Sequence, residues 1–175
     1  MEIIALIGSS GSGKTCASLY LQQHYDWNTI VSYTTRPIRK GERDGVEHWF
    51  VSPTCKPANS DEICAYTHFG GYEYWTSWTQ FEEHYKNVYV IDEKGLIDLL
   101  GKSNCPPDLT ITAVRIVRED TSDIDNERLE RDKDRTSLPD HCYNYIIHNN
   151  GTLQDFYKKL DQFVRDVTLQ DTKRK

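Results

Sequence analysis

No C-x-x-C pair occurs among the five cysteines, Cys16, Cys55, Cys64, Cys105 and Cys142, so neither a zinc site nor a disulfide framework is indicated and reduced thiols are expected. No apolar run approaches the ~18 residues of a membrane span. A hydrophobic fraction of 37% with 27% charged residues is that of a globular chain. Basic charge is in deficit: 21 Lys and Arg against 27 Asp and Glu leave a net charge of −6. That balance argues against nucleic-acid polymers as partners, because affinity for them rests on clustered cations neutralising phosphates. Small phosphorylated ligands remain open, since a few local arginines can oppose the global sign. The opening residues Met1-Glu2-Ile3-Ile4 lack the basic region that begins a signal peptide, so a cytoplasmic protein with no membrane partner is expected. Internal repeats and low-complexity stretches are also missing, and 175 residues suit one domain with small inserts.

What is present begins with a loop. Gly8-Ser9-Ser10-Gly11-Ser12-Gly13-Lys14-Thr15 follows the apolar run Ile3-Ile4-Ala5-Leu6-Ile7 and opens a helical pattern, the strand–loop–helix context that a phosphate-binding loop requires. Its glycines allow successive N–H groups to point inward at the positive end of a helix, where anionic oxygens are stabilised. Lys14 then supplies a mobile cation for the β- and γ-phosphates, and the Thr15 hydroxyl is placed to ligate Mg²⁺. The expected ligands are therefore ATP and Mg²⁺. At the other end, the basic Lys173-Arg174-Lys175 reads as a solvated terminus.

Apolar, β-branched runs recur at 3–7, 87–91, 109–117 and 143–147, with helical patterns at 14–24, 94–100, 122–134 and 152–167. The alternation predicts an α/β fold, a mostly parallel sheet with helices on both faces; with the phosphate-loop sequence, a P-loop NTPase-like, three-layer fold with a five-stranded sheet is expected. Residues 1–31, 77–117 and 136–170 form its core in this reading. Residues 32–76 form a small β-rich insert, and the polar, arginine-bearing 118–135 a short lid.

Inside the insert, Val31-Ser32-Tyr33-Thr34-Thr35-Arg36-Pro37-Ile38-Arg39-Lys40-Gly41-Glu42 runs on to Gly45-Val46-Glu47-His48-Trp49-Phe50-Val51-Ser52. Arg36 and Arg39 are three apart in a Pro-punctuated loop, where two guanidinium forks can converge on one phosphate. This segment resembles the guanylate kinase signature V-S-x-T-T-R-x-x-R-x-G-E-x-x-G-x-x-Y-x-F-V-S. Phe69-Gly70-Gly71-Tyr72-Glu73-Tyr74 resembles that family's F-x-G-x-x-Y turn, and Asp92-Glu93-Lys94-Gly95 and Tyr143-Asn144-Tyr145-Ile146-Ile147-His148-Asn149 are similar to two further family segments.

The resemblance implies a nucleoside monophosphate kinase whose substrates are ATP and, first of all, GMP or dGMP. It implies that residues 32–76 bind the monophosphate and that Arg36, Arg39 and Tyr74 hold its phosphate. His48 stands where the family has a phosphate-contacting Tyr, with a charge expected to change near neutral pH. Ser32 and Thr76 match positions that contact the guanine, Asp92 a carboxylate near the acceptor, and Asn149 a nucleotide-binding position. Arg118 and Arg128 are the implied lid arginines, acting with Lys14, Arg36 and Arg39 on the transferred group. Arg131 and Arg135 share a helical face with Arg128. The resemblance also departs from the family: aligned on Gly71, the guanine-reading Glu falls at Ala65. That departure keeps open another (deoxy)nucleoside monophosphate or a ribose bisphosphate as acceptor. A non-catalytic interaction module is the remaining alternative, and a monomer or homodimer is expected.

Overall fold

In chain order, the computed structural model, which describes residues 1–83 and 85–174, contains β1 (Glu2–Ile7), α1 (Lys14–Tyr25), β2 (Asn28–Ile30), β3 (Tyr33–Thr34), β4 (Trp49–Phe50), β5 (Ile63–Phe69) and β6 (Tyr72–Ser77). There follow β7 (Lys86–Val90), α2 (Glu93–Gly101), β8 (Thr110–Val117), α3 (Asn126–Lys133), β9 (Tyr145–His148) and α4 (Leu153–Arg174). Lys175, the last residue of the basic terminus, lies outside the described residues.

The larger sheet has the order β2-β7-β1-β8-β9, with every pairing parallel. This is the expected five-stranded sheet, and β1 shows why it forms. Ile3 to Ile7 are all fully buried, which only a strand covered on both faces allows. Successive side chains point to opposite faces: Ile4 and Leu6 join a core with Leu21, Phe156 and Leu160, whereas Ile3, Ala5 and Ile7 join one with Leu96 and Leu99. At about 1.5–3 kcal/mol for each fully buried aliphatic side chain, both faces of this strand contribute to stability.

The smaller sheet has the order β4-β3-β6-β5. β5 and β6 form an antiparallel hairpin in which Phe69 pairs with Tyr72. The two residues between them, Gly70 and Gly71, have φ of 59° and 80°. Positive φ at both central positions matches the right-handed twist of the strands, and glycine adopts it without strain.

The expected elements are present with shifted ends. The helix expected over 122–134 is confined to Asn126–Lys133 because Thr121 to Ile124 closes a turn. The Asp125 carboxylate then accepts the Arg128 N–H at 2.9 Å, which caps a new helix start. β9 begins two residues later than expected, and α4 runs on to Arg174. Among the described residues no helix is long and apolar enough to cross a membrane. The phosphate-loop sequence, Asp92 and Arg118 all follow the C-terminal ends of parallel strands, where open α/β sheets bind their ligands.

Candidate active site

The loop after β1 is built around close backbone approaches. A Cβ on Gly8 would lie 2.3 Å from the Ile116 carbonyl oxygen, so no side chain fits there. Gly13 precedes α1 with φ 107°, and a Cβ on it would lie 2.6 Å from Asn149 Nδ2. That amide donates to the Ser12 carbonyl at 2.9 Å. Asn149 therefore braces the loop backbone. The Ser12 side chain is fully buried, and its Oγ has no partner among the described residues.

Lys14 is tethered where the sequence suggested a mobile cation. Its Nζ donates to the carbonyls of Gly8 at 2.7 Å and Ser9 at 2.8 Å. Burial lowers its pKa to about 7, with Arg135 adding to the effect while Asp132 and Glu93 oppose it.

The polar segment between β8 and β9 is folded onto this loop. The Ser10 N–H donates to Asp132 Oδ2 at 2.6 Å, and the Ser10 hydroxyl donates to Oδ1 at 3.1 Å. An intramolecular carboxylate thus sits on a loop amide. Arg118 donates to the Gly11 carbonyl at 3.2 Å and pairs with Asp123 at 2.9 Å. Ile124 Cδ1 lies 1.9 Å from where a Gly11 Cβ would be, so a side chain at position 11 would force the Ile124 side chain to move.

Beside the loop is a cleft bordered both by Ser10 and Lys14 of the loop and by Ser32, Arg39, His48 and Tyr74 of the insert, with Asp92 and Arg135 also on its wall. Its free volume is about 760 Å³, including the part open to solvent. Asp92 both caps α2 and borders the cleft: its Oδ1 accepts the Gly95 N–H at 2.7 Å and the Thr67 hydroxyl at 3.0 Å. Ser32 Oγ lies 3.0 Å from His48 Nδ1. Burial, reinforced by Arg36, lowers the His48 pKa to about 4. The expected charge change near neutrality is therefore corrected: this imidazole is neutral there, because its surroundings are dry and already cationic.

Two further expected site residues have partners that the sequence did not show. Thr76 is fully buried, with its hydroxyl bonded to the Tyr89 phenol, and Tyr89 rather than Thr76 borders the cleft, next to Ala65. Arg36 is not an open fork. Its Nη1 and Nη2 donate to Glu42 Oε2 and Oε1 at 2.9 and 3.0 Å, and it lies over the Phe50 ring. The Arg39 N–H donates to the same carboxylate at 2.9 Å, so Glu42 occupies the point where the two arginines converge. Both arginines border a second cavity with Gly11, Thr15 and Arg128. Arg128 also pairs with Asp125 at 3.4 Å.

Three residues stand at the site without having been singled out as functional. Asp132 falls in the polar 118–135 segment, Glu93 in the Asp92-Glu93-Lys94-Gly95 segment similar to the family's, and Arg135 on the helical face it shares with Arg128. Glu93 is buried at the start of α2, accepting Arg135 Nε at 2.6 Å and the Tyr143 hydroxyl at 3.4 Å. The advance signals were the place of Glu93 in that segment and the seven-residue spacing of Arg135 from Arg128 on one helical face. The side chain of Arg131, on the same face, lies outside the described residues.

Residues 1–92 match the family model described as guanylate kinase. The chain is 32% identical to the guanylate kinase of Maricaulis maris over 91% of this chain and 79% of that protein. Against the guanylate kinases of Mycoplasma capricolum and Mycoplasma mycoides, identity is 32% and 33% over 91% and 86% of this chain. The match spans only 59% and 56% of those two proteins' lengths. A crystal structure of guanylate kinase from Anaplasma phagocytophilum superposes with a TM-score of 0.70 at 21% identity, covering 96% of this chain and 85% of that one. That likeness bears on the fold.

Proposed function

The chain belongs to the guanylate kinase family, and from that premise we propose that it transfers the γ-phosphoryl group of ATP to a nucleoside monophosphate, GMP or dGMP first. The observation that carries this reading is the single cleft bordered both by Ser10 and Lys14 of the phosphate loop and by Arg39 and Tyr74 of the insert. Two anionic groups held by the loop and by the insert in one cleft face each other.

An oxygen of the acceptor phosphate attacks the γ-phosphorus. The bond from that phosphorus to the β–γ bridging oxygen breaks, and ADP leaves with the electron pair. No proton has to move, since the acceptor oxygen is already ionised, so positioning and charge stabilisation supply the catalysis. In this scheme the Gly8–Thr15 amides and Lys14 cradle the donor phosphates. Arg39 and Tyr74 meet the acceptor phosphate, joined by Arg36 when its Glu42 pairing yields.

The residues present fit ATP with Mg²⁺. The Ser10 amide already binds an anion, and the Thr15 hydroxyl borders the cavity that the loop shares with the insert arginines. Thr15 would ligate the ion, which when bound neutralises phosphate charge. In this reading a monomer or homodimer meets small soluble nucleotides in the cytoplasm.

A second acceptor class is favoured by one observation. Ala65 and Asp92 both border the cleft, and Asp92, the one carboxylate there among the described residues, already accepts from Thr67 and Gly95. The test is ADP formation from MgATP with GMP, dGMP, AMP, dTMP, CMP and ribose 1,5-bisphosphate in parallel. Turnover with GMP or dGMP supports the first reading. Turnover with another acceptor alone supports the second, and turnover with none overturns both.

A further inference from the structure

Arg135 stands where three cavities around the phosphate loop meet. One is the cleft shared with Lys14 and Asp92, one is bordered by Ser10 and Asp132, and one lies against Gly8 and Ser9. Its side chain is mostly buried at 16% exposure, and the Glu93 carboxylate that holds it is 7% exposed. Only one edge of the guanidinium is spent: Nε donates to Glu93 Oε2 at 2.6 Å, whereas Nη2 is buried with no hydrogen-bond partner among the described residues. A guanidinium carries five donors in a fixed plane, so fixing the Nε edge aims the remaining donors.

The local charge is unusual in a second way. Lys14 and Arg135 are close enough for Arg135 to be the largest charge effect disfavouring protonation of the Lys14 amine. Two cations crowd a dry corner that also contains an unspent donor, and buried donors left unmade are costly. A ligand with several anionic oxygens placed between them relieves both the repulsion and the orphaned N–H groups. Arg118 and Arg128 have a weaker claim to this position. Arg118 is turned to Gly11 and Asp123, and Arg128 is paired with Asp125 and borders the cavity with Thr15 but not the cleft shared with Asp92.

We infer that Arg135 is the cation that meets the phosphoryl group in flight between donor and acceptor, and that the buried Glu93 is the residue that positions it. The inference rests on the phosphoryl-transfer reading above. Glu93 itself touches no substrate. It holds Arg135 from the start of α2, is steadied by the Tyr143 hydroxyl, and fixes the plane of the guanidinium. Arg135 lies near the end of a polar segment that carries few apolar anchors, so a rigid partner on the core is what makes its position reproducible.

The experiment compares wild type, Arg135→Ala, Arg135→Lys and Glu93→Gln with MgATP and whichever acceptor turns over. Arg135→Ala should lower kcat about 100-fold, the loss typical of one preorganised transition-state donor, with the KM of each substrate changed less than about threefold. Guanidinium ion should restore part of that rate, and sodium chloride of equal ionic strength should not. Arg135→Lys should recover little, since a lysine cannot present the same donor plane. Glu93→Gln should lower kcat about tenfold with KM unchanged, because a charge-assisted bond becomes a neutral one. Calorimetry with ADP, aluminium fluoride and the acceptor should show Arg135→Ala losing affinity for this mimic of the transferred group while binding ATP normally. If wild type turns over and Arg135→Ala keeps kcat within threefold, or binds the mimic normally, the inference is overturned. If wild type turns over no acceptor, it is the phosphoryl-transfer reading that fails.

Discussion

Asp132 sits on Ser10 as a phosphate oxygen would, with one carboxylate oxygen 2.6 Å from the backbone N–H and the other 3.1 Å from the hydroxyl. The loop therefore binds an anion supplied by its own chain, and in the proposed reaction the donor nucleotide displaces it. Asp132→Asn removes the charge but keeps the shape, and charge-assisted hydrogen bonds are roughly twice as strong as neutral ones. ATP should bind about three- to tenfold more tightly to this variant, a shift below the tenfold that 1.4 kcal/mol represents. Titration calorimetry of the two proteins reads it directly, and weaker binding to Asp132→Asn would contradict the competition.

Lys14→Ala should abolish detectable turnover while leaving the melting temperature within a few degrees. Its amine is spent on two loop carbonyls, and its chief role in the proposed chemistry is charge toward the donor phosphates. A variant with a near-normal rate would remove the loop from the mechanism.

His48 should titrate near pH 4, and not near neutrality. The imidazole is depressed from 6.5 to about 4 by burial and by Arg36. Between those values the unfolded chain binds a proton that the folded chain refuses, so this residue's contribution to stability is present above about pH 6.5 and falls as pH drops toward 4. The acceptor KM should show no step from His48 between pH 6 and 8. Proton NMR of the imidazole checks the midpoint, and a value near 6.5 would mean the ring is solvated.

Gly8→Ala should destabilise the fold by about 1–3 kcal/mol, the usual cost of forcing atoms into a filled space. The new Cβ would meet the Ile116 carbonyl oxygen at 2.3 Å, and backbone cannot swing aside as a side chain can. Gly41→Ala, where no atom lies within 4 Å of the added Cβ, controls for the general effect of losing a glycine, although its φ of 87° carries some strain of its own. Thermal unfolding of both variants should rank Gly8→Ala clearly lower.

The β1–loop–α1 unit was legible in sequence because every level agreed there: a doubly buried strand, glycines where the backbone must turn, and a helix-forming stretch after Lys14. The parallel sheet was legible for a similar reason, since each apolar run was followed by a helical period. What was not legible lay in polar pairings. Glu42 between Arg36 and Arg39, Asp132 on Ser10 and Glu93 beneath Arg135 are each a carboxylate whose partner is set by how loops fold back. In a one-dimensional pattern such residues look like solvated charge. The same limit applies to Thr76, whose alignment to a base-contacting position could not reveal that the Tyr89 phenol covers its hydroxyl. The helix start at Asn126 was missed because the Asp125 cap competes with a longer amphipathic pattern.

The most direct measurement is phosphorus NMR of the protein incubated with MgATP and GMP. The proposed transfer predicts that ADP and GDP grow in equal amounts while free phosphate stays flat. Release of inorganic phosphate with GMP unchanged, repeated with every other acceptor in the panel, would contradict the claim that two phosphates are brought face to face in this cleft.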